Sequence, residues 1–214
     1  MKATTKQGRF ITVEGIEGVG KSTHLAAIEA TLKSHGIDVT MSREPGGTPL
    51  GEVLRGVLLD HRNTAMTSDA ELLLMFAVRA QHLHEKILPT LQTGAWVVSD
   101  RFTDATYAYQ GGGRGISPSR IAALEDWVQG AFRPDMTIIL DAPVEIALQR
   151  MQTRGALDRF EREQAEFFQR VRDVYLARAA QAPERYTLID ASPPLEIVRD
   201  AVVRCCEGLI RDWA

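Results

Sequence analysis

Little in this sequence points to a covalent or metallic framework. Its 214 residues hold two cysteines, Cys205 and Cys206, side by side near the C-terminus. Neighbouring cysteines rarely bridge each other, and a zinc site needs about four nitrogen or sulfur ligands at suitable spacing. Both thiols are expected to pack within a terminal helix, and a reducing compartment fits them. The five histidines, His24, His35, His61, His82 and His84, form no ligand pattern and read as surface or partly buried residues. Long apolar runs are also missing. The longest, Leu72 to Val78, falls far short of the roughly 20 residues of a membrane span. Lys2 and Lys6 are followed by no apolar run of signal-peptide length. A cytoplasmic chain with no membrane partner is the expectation. An excess of positive charge is absent too: 25 Lys and Arg stand against 28 Asp and Glu, a net charge of −3. That argues against a nucleic-acid partner held by bulk charge, while leaving arginines free to cluster locally.

What the sequence does have is alternation. Apolar, β-branched stretches at Arg9–Glu14, Asp38–Ser42, Ala95–Ser99, Met136–Asp141 and Tyr186–Asp190 read as buried strands. Helical periodicity falls between them. It covers Lys21–Ser34, about Pro49–Leu59 with Leu50, Val53, Leu54 and Val57 on one face, and Asp69 to about Leu88, capped by Ser68 or Asp69 and ended by Pro89. It returns from about Phe102 to Tyr109, where Gly111-Gly112-Gly113 breaks it, and again after Ser117-Pro118. The last helical stretches are Pro143–Gln152, Arg159–Ala180 and Leu195–Trp213. Five strands joined by helices predict an α/β fold with a mainly parallel sheet, because parallel neighbours need crossovers. No repeat or linker divides residues 1–214, so a single domain is expected.

Gly15-Ile16-Glu17-Gly18-Val19-Gly20-Lys21-Ser22 matches G-x-x-x-x-G-K-[ST] between a strand and a helix. Glycines let successive N–H groups curl around phosphate oxygens, and the following helix adds the positive end of its dipole. Lys21 can reach the β- and γ-phosphates, and the Ser22 hydroxyl can ligate Mg²⁺. The loop therefore calls for a nucleoside triphosphate such as ATP. A switch GTPase is disfavoured, because the single asparagine, Asn63, precedes Thr64 and no Asn-Lys-x-Asp motif exists. A water-activating ATPase is disfavoured as well. The apolar strands end in Ser99-Asp100-Arg101 and Leu140-Asp141-Ala142 and lack an acidic pair. Arg43 and Arg101 follow strands, where parallel sheets place ligands, and Arg55 and Arg79 lie on the intervening helices. Their planar forks suit a second phosphate.

Several segments are similar to bacterial thymidylate kinases. They are the phosphate loop, Arg43-Glu44-Pro45-Gly46-Gly47, Asp100-Arg101-Phe102, Ala108-Tyr109-Gln110-Gly111-Gly112-Gly113, Arg114-Gly115, Phe132-Arg133-Pro134-Asp135 and Arg154-Gly155-Ala156-Leu157-Asp158-Arg159. The resemblance runs in order from about residue 9 to residue 190. It implies a three-layer P-loop NTPase fold with a five-stranded parallel sheet and a lid at about 150–162. It also implies transfer of the γ-phosphoryl group of ATP to dTMP with Mg²⁺, and a homodimer. Glu17 resembles the acidic residue that faces the acceptor's sugar. Arg101 resembles the arginine on the dTMP phosphate, with Arg43 and Arg55 nearby. Phe76 or Met75 would pack on thymine and Arg79 would bond its O4. Thr106 and Gln110 would line the pyrimidine edge, and Tyr109 would crowd the 2′ position. Ser22 and, as a second candidate, Asp100 would face the metal. The phosphate loop carries no arginine, so lid arginines, Arg154 or Arg159, would supply positive charge to the migrating group, with Arg150 nearby.

Overall fold

The computed structural model describes residues 7–151 and 158–213. Phe10–Glu14 (β1) is buried along its whole length, as befits a strand with neighbours on both sides and helices on both faces. It pairs in parallel with Trp96–Asp100 (β3) on one side and Met136–Asp141 (β4) on the other. Val39–Arg43 (β2) and Tyr186–Asp190 (β5) form the edges and are only partly buried. The order is β2-β3-β1-β4-β5, with every pairing parallel. The five-stranded parallel sheet expected from the alternation is present.

This order reverses direction at β1. Ligands of open parallel sheets bind beyond the C-terminal ends of strands at such a switch point. The phosphate loop leaves β1 there and leads into Lys21–Ser34 (α1), with Ile28 and Leu32 buried. Gly20 precedes this helix in a left-handed conformation. At Gly18, φ is +80°, and an added Cβ would meet the Ala147 carbonyl oxygen at 2.1 Å. Only glycine lets the loop close against Val144–Met151 (α7).

Pro49–Leu59 (α2) begins as expected, with the Thr48 hydroxyl accepting from Gly51 N–H at 3.0 Å. Its apolar face is only partly inward: Leu58 is buried, whereas Leu50, Val53 and Val57 are exposed. Ser68–His82 (α3) is capped by Thr67, not by Ser68 or Asp69. The helical path also does not end at Pro89. A π-helical turn at Leu83–Ile87 shifts the register and leads into Leu88–Gln92 (α4). Pro89 is the second residue of α4, directly after the π-helical turn.

Thr103–Thr106 (α5) continues into a second π-helical stretch, Tyr107–Gly113, so the three glycines do not break the helix. They form a contact surface. A Cβ on Gly113 would lie 2.4 Å from the Phe167 ring, and one on Gly112 would lie 2.7 Å from a Val174 methyl. Phe167 and Val174 belong to Ala165–Gln181 (α8). This helix starts later than the expected Arg159. The Asp158 carboxylate accepts the Phe160 and Glu161 N–H groups at 2.8 and 2.9 Å and holds a turn instead. Pro118–Gln129 (α6) and Leu195–Trp213 (α9) fall where the periodicity predicts them. Cys205 and Cys206 are free thiols on α9, as expected, and burial pushes the Cys206 thiol up to about 12.

Gly113→Ala is expected to destabilise the chain by about 1–3 kcal/mol through overpacking. The check is a shift of the urea midpoint. A midpoint equal to the parent's counts against close α8 packing at this residue.

Candidate active site

A cleft opens at the switch point. Its walls come from the phosphate loop (Glu17, Gly18, Gly20, Lys21, Ser22), the segment after β2 (Glu44, Pro45), α2 (Arg55) and α3 (Met75, Arg79). The turn after β3 (Asp100, Arg101, Phe102), Thr106, Tyr109, Gln110 and the Asp158–Glu161 turn complete it. The Lys21 ammonium folds back over the loop and donates to the carbonyl oxygens of Gly15 and Ile16, both at 3.0 Å. Burial, together with the neighbouring Arg101 charge, lowers its pKa to about 8.

Arg101 has φ +69°, a left-handed conformation unusual for a side chain of this size. Four hydrogen bonds hold it. The Phe102 N–H donates to Glu14 Oε1 at 2.7 Å, and both terminal nitrogens of the guanidinium are engaged. Its Nη1 donates to Gly15 O at 2.9 Å and to the Tyr175 hydroxyl at 3.1 Å, and Nη2 donates to Glu17 Oε1 at 2.7 Å. Tyr109 donates to the other Glu17 oxygen at 2.6 Å, and its ring lies 4.7 Å beneath the Arg101 guanidinium. The Tyr109 hydroxyl thus orients Glu17, a task beyond the steric bulk that the sequence suggested.

Arg79 is 2% exposed. Its guanidinium is sandwiched between Phe76 at 4.9 Å and Phe102 at 5.1 Å. Nε donates to Glu44 Oε2 at 2.9 Å, and Nη2 donates to Phe102 O at 3.1 Å and to Thr106 Oγ1 at 3.0 Å. Nη1 is buried with no partner. Of the two candidates for the base-packing side chain, Met75 lines the cleft. Phe76 lies behind Arg79 in a cluster with Leu72, Ile116 and Ile121. Gln110 lines the cleft while its amide donates to Glu71 at 2.8 Å. Asp100 Oδ1 is buried without a partner, and Asp100 and Ser22 line the same cleft.

Two expected arginines lie elsewhere. Arg43, 52% exposed, turns to Glu52 at 2.7 Å and does not line the cleft. Arg55 does line it, donating to Pro45 O at 2.7 Å. Arg159 donates to Leu58 O at 2.8 Å and to the buried Glu71 at 2.6 Å, and does not line the cleft. Arg154 lies outside the described residues, as does most of the first half of the expected lid. Arg150 donates to the carbonyl oxygens of Ala191 and Ser192. With His24, Gly18, Gly20 and residues 191–195 it lines a second groove that shares Gly18 and Gly20 with the first.

Sequence reading missed the buried polar supports. His82 is fully buried and His24 nearly so, against the expectation for all five histidines. Glu14 is fully buried, and burial raises its pKa to about 8. Tyr175 donates to it at 2.8 Å. A carboxylate closing an otherwise apolar strand was the available signal for Glu14. Tyr175, 161 residues away, offered none. Among the described residues no three His, Cys, Asp or Glu side chains converge as a metal cage, and no described helix is long and apolar enough to cross a membrane.

Comparison with known proteins agrees with this geometry. The thymidylate kinase family model matches residues 13–202. A thymidylate kinase from Pseudomonas entomophila is 56% identical over 203 residues, covering 95% of this chain and 97% of that protein. One from Nitrosomonas europaea is 53% identical over 207 residues, covering 97% and 96%. The crystal structure of thymidylate kinase from Ehrlichia chaffeensis superposes with a TM-score of 0.76 at 33% identity, covering 94% of this chain and 99% of that one. With a five-stranded parallel sheet, a phosphate loop at its switch point and these relatives along nearly its whole length, the chain has the P-loop NTPase fold and belongs to the thymidylate kinase family.

Proposed function

We propose that the cleft transfers the γ-phosphoryl group of ATP directly to the phosphate of dTMP, giving dTDP and ADP. One observation carries this reading. Two clefts share Gly18 and Gly20 of the phosphate loop, so donor and acceptor can meet at it. The groove of His24, Arg150 and residues 191–195 suits the adenine nucleoside. The arginine-lined cleft suits the anionic acceptor. Arg101 and Arg55 hold the dTMP phosphate, Met75 packs on the base, and the unpartnered Arg79 Nη1 donates to O4. Tyr109 crowds the 2′ position and fixes Glu17 near the sugar.

A phosphate oxygen of dTMP attacks the γ-phosphorus in line, and the bond to the β–γ bridging oxygen breaks. The attacking group is already anionic, so no general base is needed, and catalysis is positioning and charge neutralisation. The unpartnered Asp100 Oδ1 and the Ser22 hydroxyl would hold a hydrated Mg²⁺, which would supply charge neutralisation to the transferring phosphoryl group. Residues 150–162 act as a lid within a single domain and exclude water from the transfer. Since Arg159 is committed to Glu71, Arg154 is the lid arginine that reaches the phosphoryl group, and Arg159 braces the closing turn. The exposed Leu50, Val53 and Val57 of α2, Leu73 of α3 and the 81%-exposed Trp127 of α6 supply an apolar surface for a homodimer. The free thiols fit a cytoplasmic setting.

A panel of nucleoside monophosphates with ATP and Mg²⁺, read by product mass, should show dTDP as the main product. Lys21→Ala should lower kcat by about 10²–10³-fold, and a loss within about threefold would remove the loop from the chemistry. The pH dependence has a definite sign. The Lys21 ammonium is charged below about 8 and neutral above it. The kcat/KM for ATP, which reports the free enzyme, should therefore fall as pH rises through about 8. A flat profile through that region would contradict it. Arg154→Ala should lower kcat by about 10³-fold with ATP affinity nearly intact. Arg159→Ala should lose less, and normal turnover in both would mean that the charge comes from outside the lid.

A further inference from the structure

Behind Arg79 a chain of hydrogen bonds runs through Glu44 and His82 to Ser42. The His82 ring is fully buried on the last turn of α3. Its Nδ1 lies 2.9 Å from Glu44 Oε1, and its Nε2 lies 2.7 Å from Ser42 Oγ. An ionised carboxylate can only accept, so Nδ1 carries the proton. Burial opposes the charge on Glu44, but Arg79 and the hydrogen bond from His82 outweigh it and hold its pKa below the usual value. The loop above is built to admit the ring. A Cβ on Gly47 would meet His82 Nε2 at 2.8 Å and Ser42 Oγ at 2.7 Å, and φ there is +83°.

Glu44 also lines the acceptor cleft. Its two oxygens are both spoken for, Oε2 by Arg79 and Oε1 by His82. A carboxylate oxygen released from His82 would be an acceptor for an exocyclic amino group. Arg79, with its anchor loosened, would no longer aim Nη1 at one point. Both changes favour a 4-amino pyrimidine over a 4-keto one, since an unpaired buried donor or acceptor weakens binding of the mismatched base.

We propose that His82, backed by Ser42, is a positioning residue for base selectivity: by holding Glu44 it leaves Arg79 Nη1 as the unpartnered group at the base end of the cleft and so selects a carbonyl at pyrimidine position 4. The inference rests on the reading of Arg79 given under Proposed function. It adds a residue that touches no substrate but decides which base is accepted.

The test compares kcat/KM for dTMP, dUMP and dCMP in the parent, His82→Leu, His82→Asn and Ser42→Ala enzymes. The dTMP:dCMP ratio of His82→Leu should fall by about tenfold or more. Its dTMP:dUMP ratio should not change, because both bases carry the same carbonyl. The amide nitrogen of His82→Asn can stand in for Nδ1, so its dTMP:dCMP ratio should stay within about threefold of the parent's. Ser42→Ala, the milder break, should lower the dTMP:dCMP ratio in the same direction by about threefold. Losses in step for all three substrates in His82→Leu would make the residue structural only and overturn the inference. An unchanged dTMP:dCMP ratio in Ser42→Ala would overturn it even if His82→Leu does not fold. Equal use of dCMP and dTMP by the parent enzyme would instead sink the underlying reading of Arg79.

Discussion

Glu14 closes the central strand with a carboxylate that no solvent reaches, and three parts of the molecule hang on it. Oε1 takes the Phe102 N–H, and Oε2 takes the Tyr175 hydroxyl. Through these it ties β1 to the turn after β3 and to α8. Tyr175 in turn receives the Arg101 guanidinium. Arg101 sits at positive φ, a conformation that costs of order 1–3 kcal/mol and persists only where surroundings over-determine it. Glu14 and Tyr175 supply that determination. The turn that presents the acceptor arginine is therefore built from the same residue that precedes the phosphate loop. Donor and acceptor sides share one anchor.

The arginines follow a common plan. Arg79 faces Glu44, Arg101 faces Glu17, Arg159 faces Glu71 and Arg178 faces Asp104, all at contact distance and largely out of solvent. Such pairs add little net stability, because desolvation cancels much of the attraction. Their value here is geometric. A guanidinium with one edge fixed by a carboxylate presents its other edge in one direction. Arg79 is the clearest case, with Nε and Nη2 engaged and Nη1 left over. A chain of net charge −3 can thus aim arginines into a cleft that acids also line, because the partner carboxylates fix the direction each guanidinium presents.

The π-helical stretch Tyr107–Gly113 shows why local rules fail near a site. Three consecutive glycines read as a break, since each weakens a helix by about 1 kcal/mol relative to alanine. Here Gly112 and Gly113 allow α8 to approach, with Val174 and Phe167 filling the space where their side chains would be. That approach brings Tyr175 under Arg101. The glycine run therefore places a polar support of the site from a helix that begins more than fifty residues later.

The sequence alone determined the order of strands and helices, the parallel sheet and the phosphate loop. These depend on periodicity and on spacing within a few residues, and short-range physics suffices to read them. The tertiary structure decided which arginines enter the cleft. Arg55, Arg79 and Arg101 do, whereas Arg43 and Arg159 turn to Glu52 and Glu71. It also decided that Met75 and not Phe76 lines the cleft, that His82 is buried, and that Tyr175 serves Arg101. The reason is separation along the chain. Glu44 and Arg79 are 35 residues apart, and Glu14 and Tyr175 are 161 apart. No local pattern encodes such partners, because each is chosen by which elements the folded sheet brings side by side.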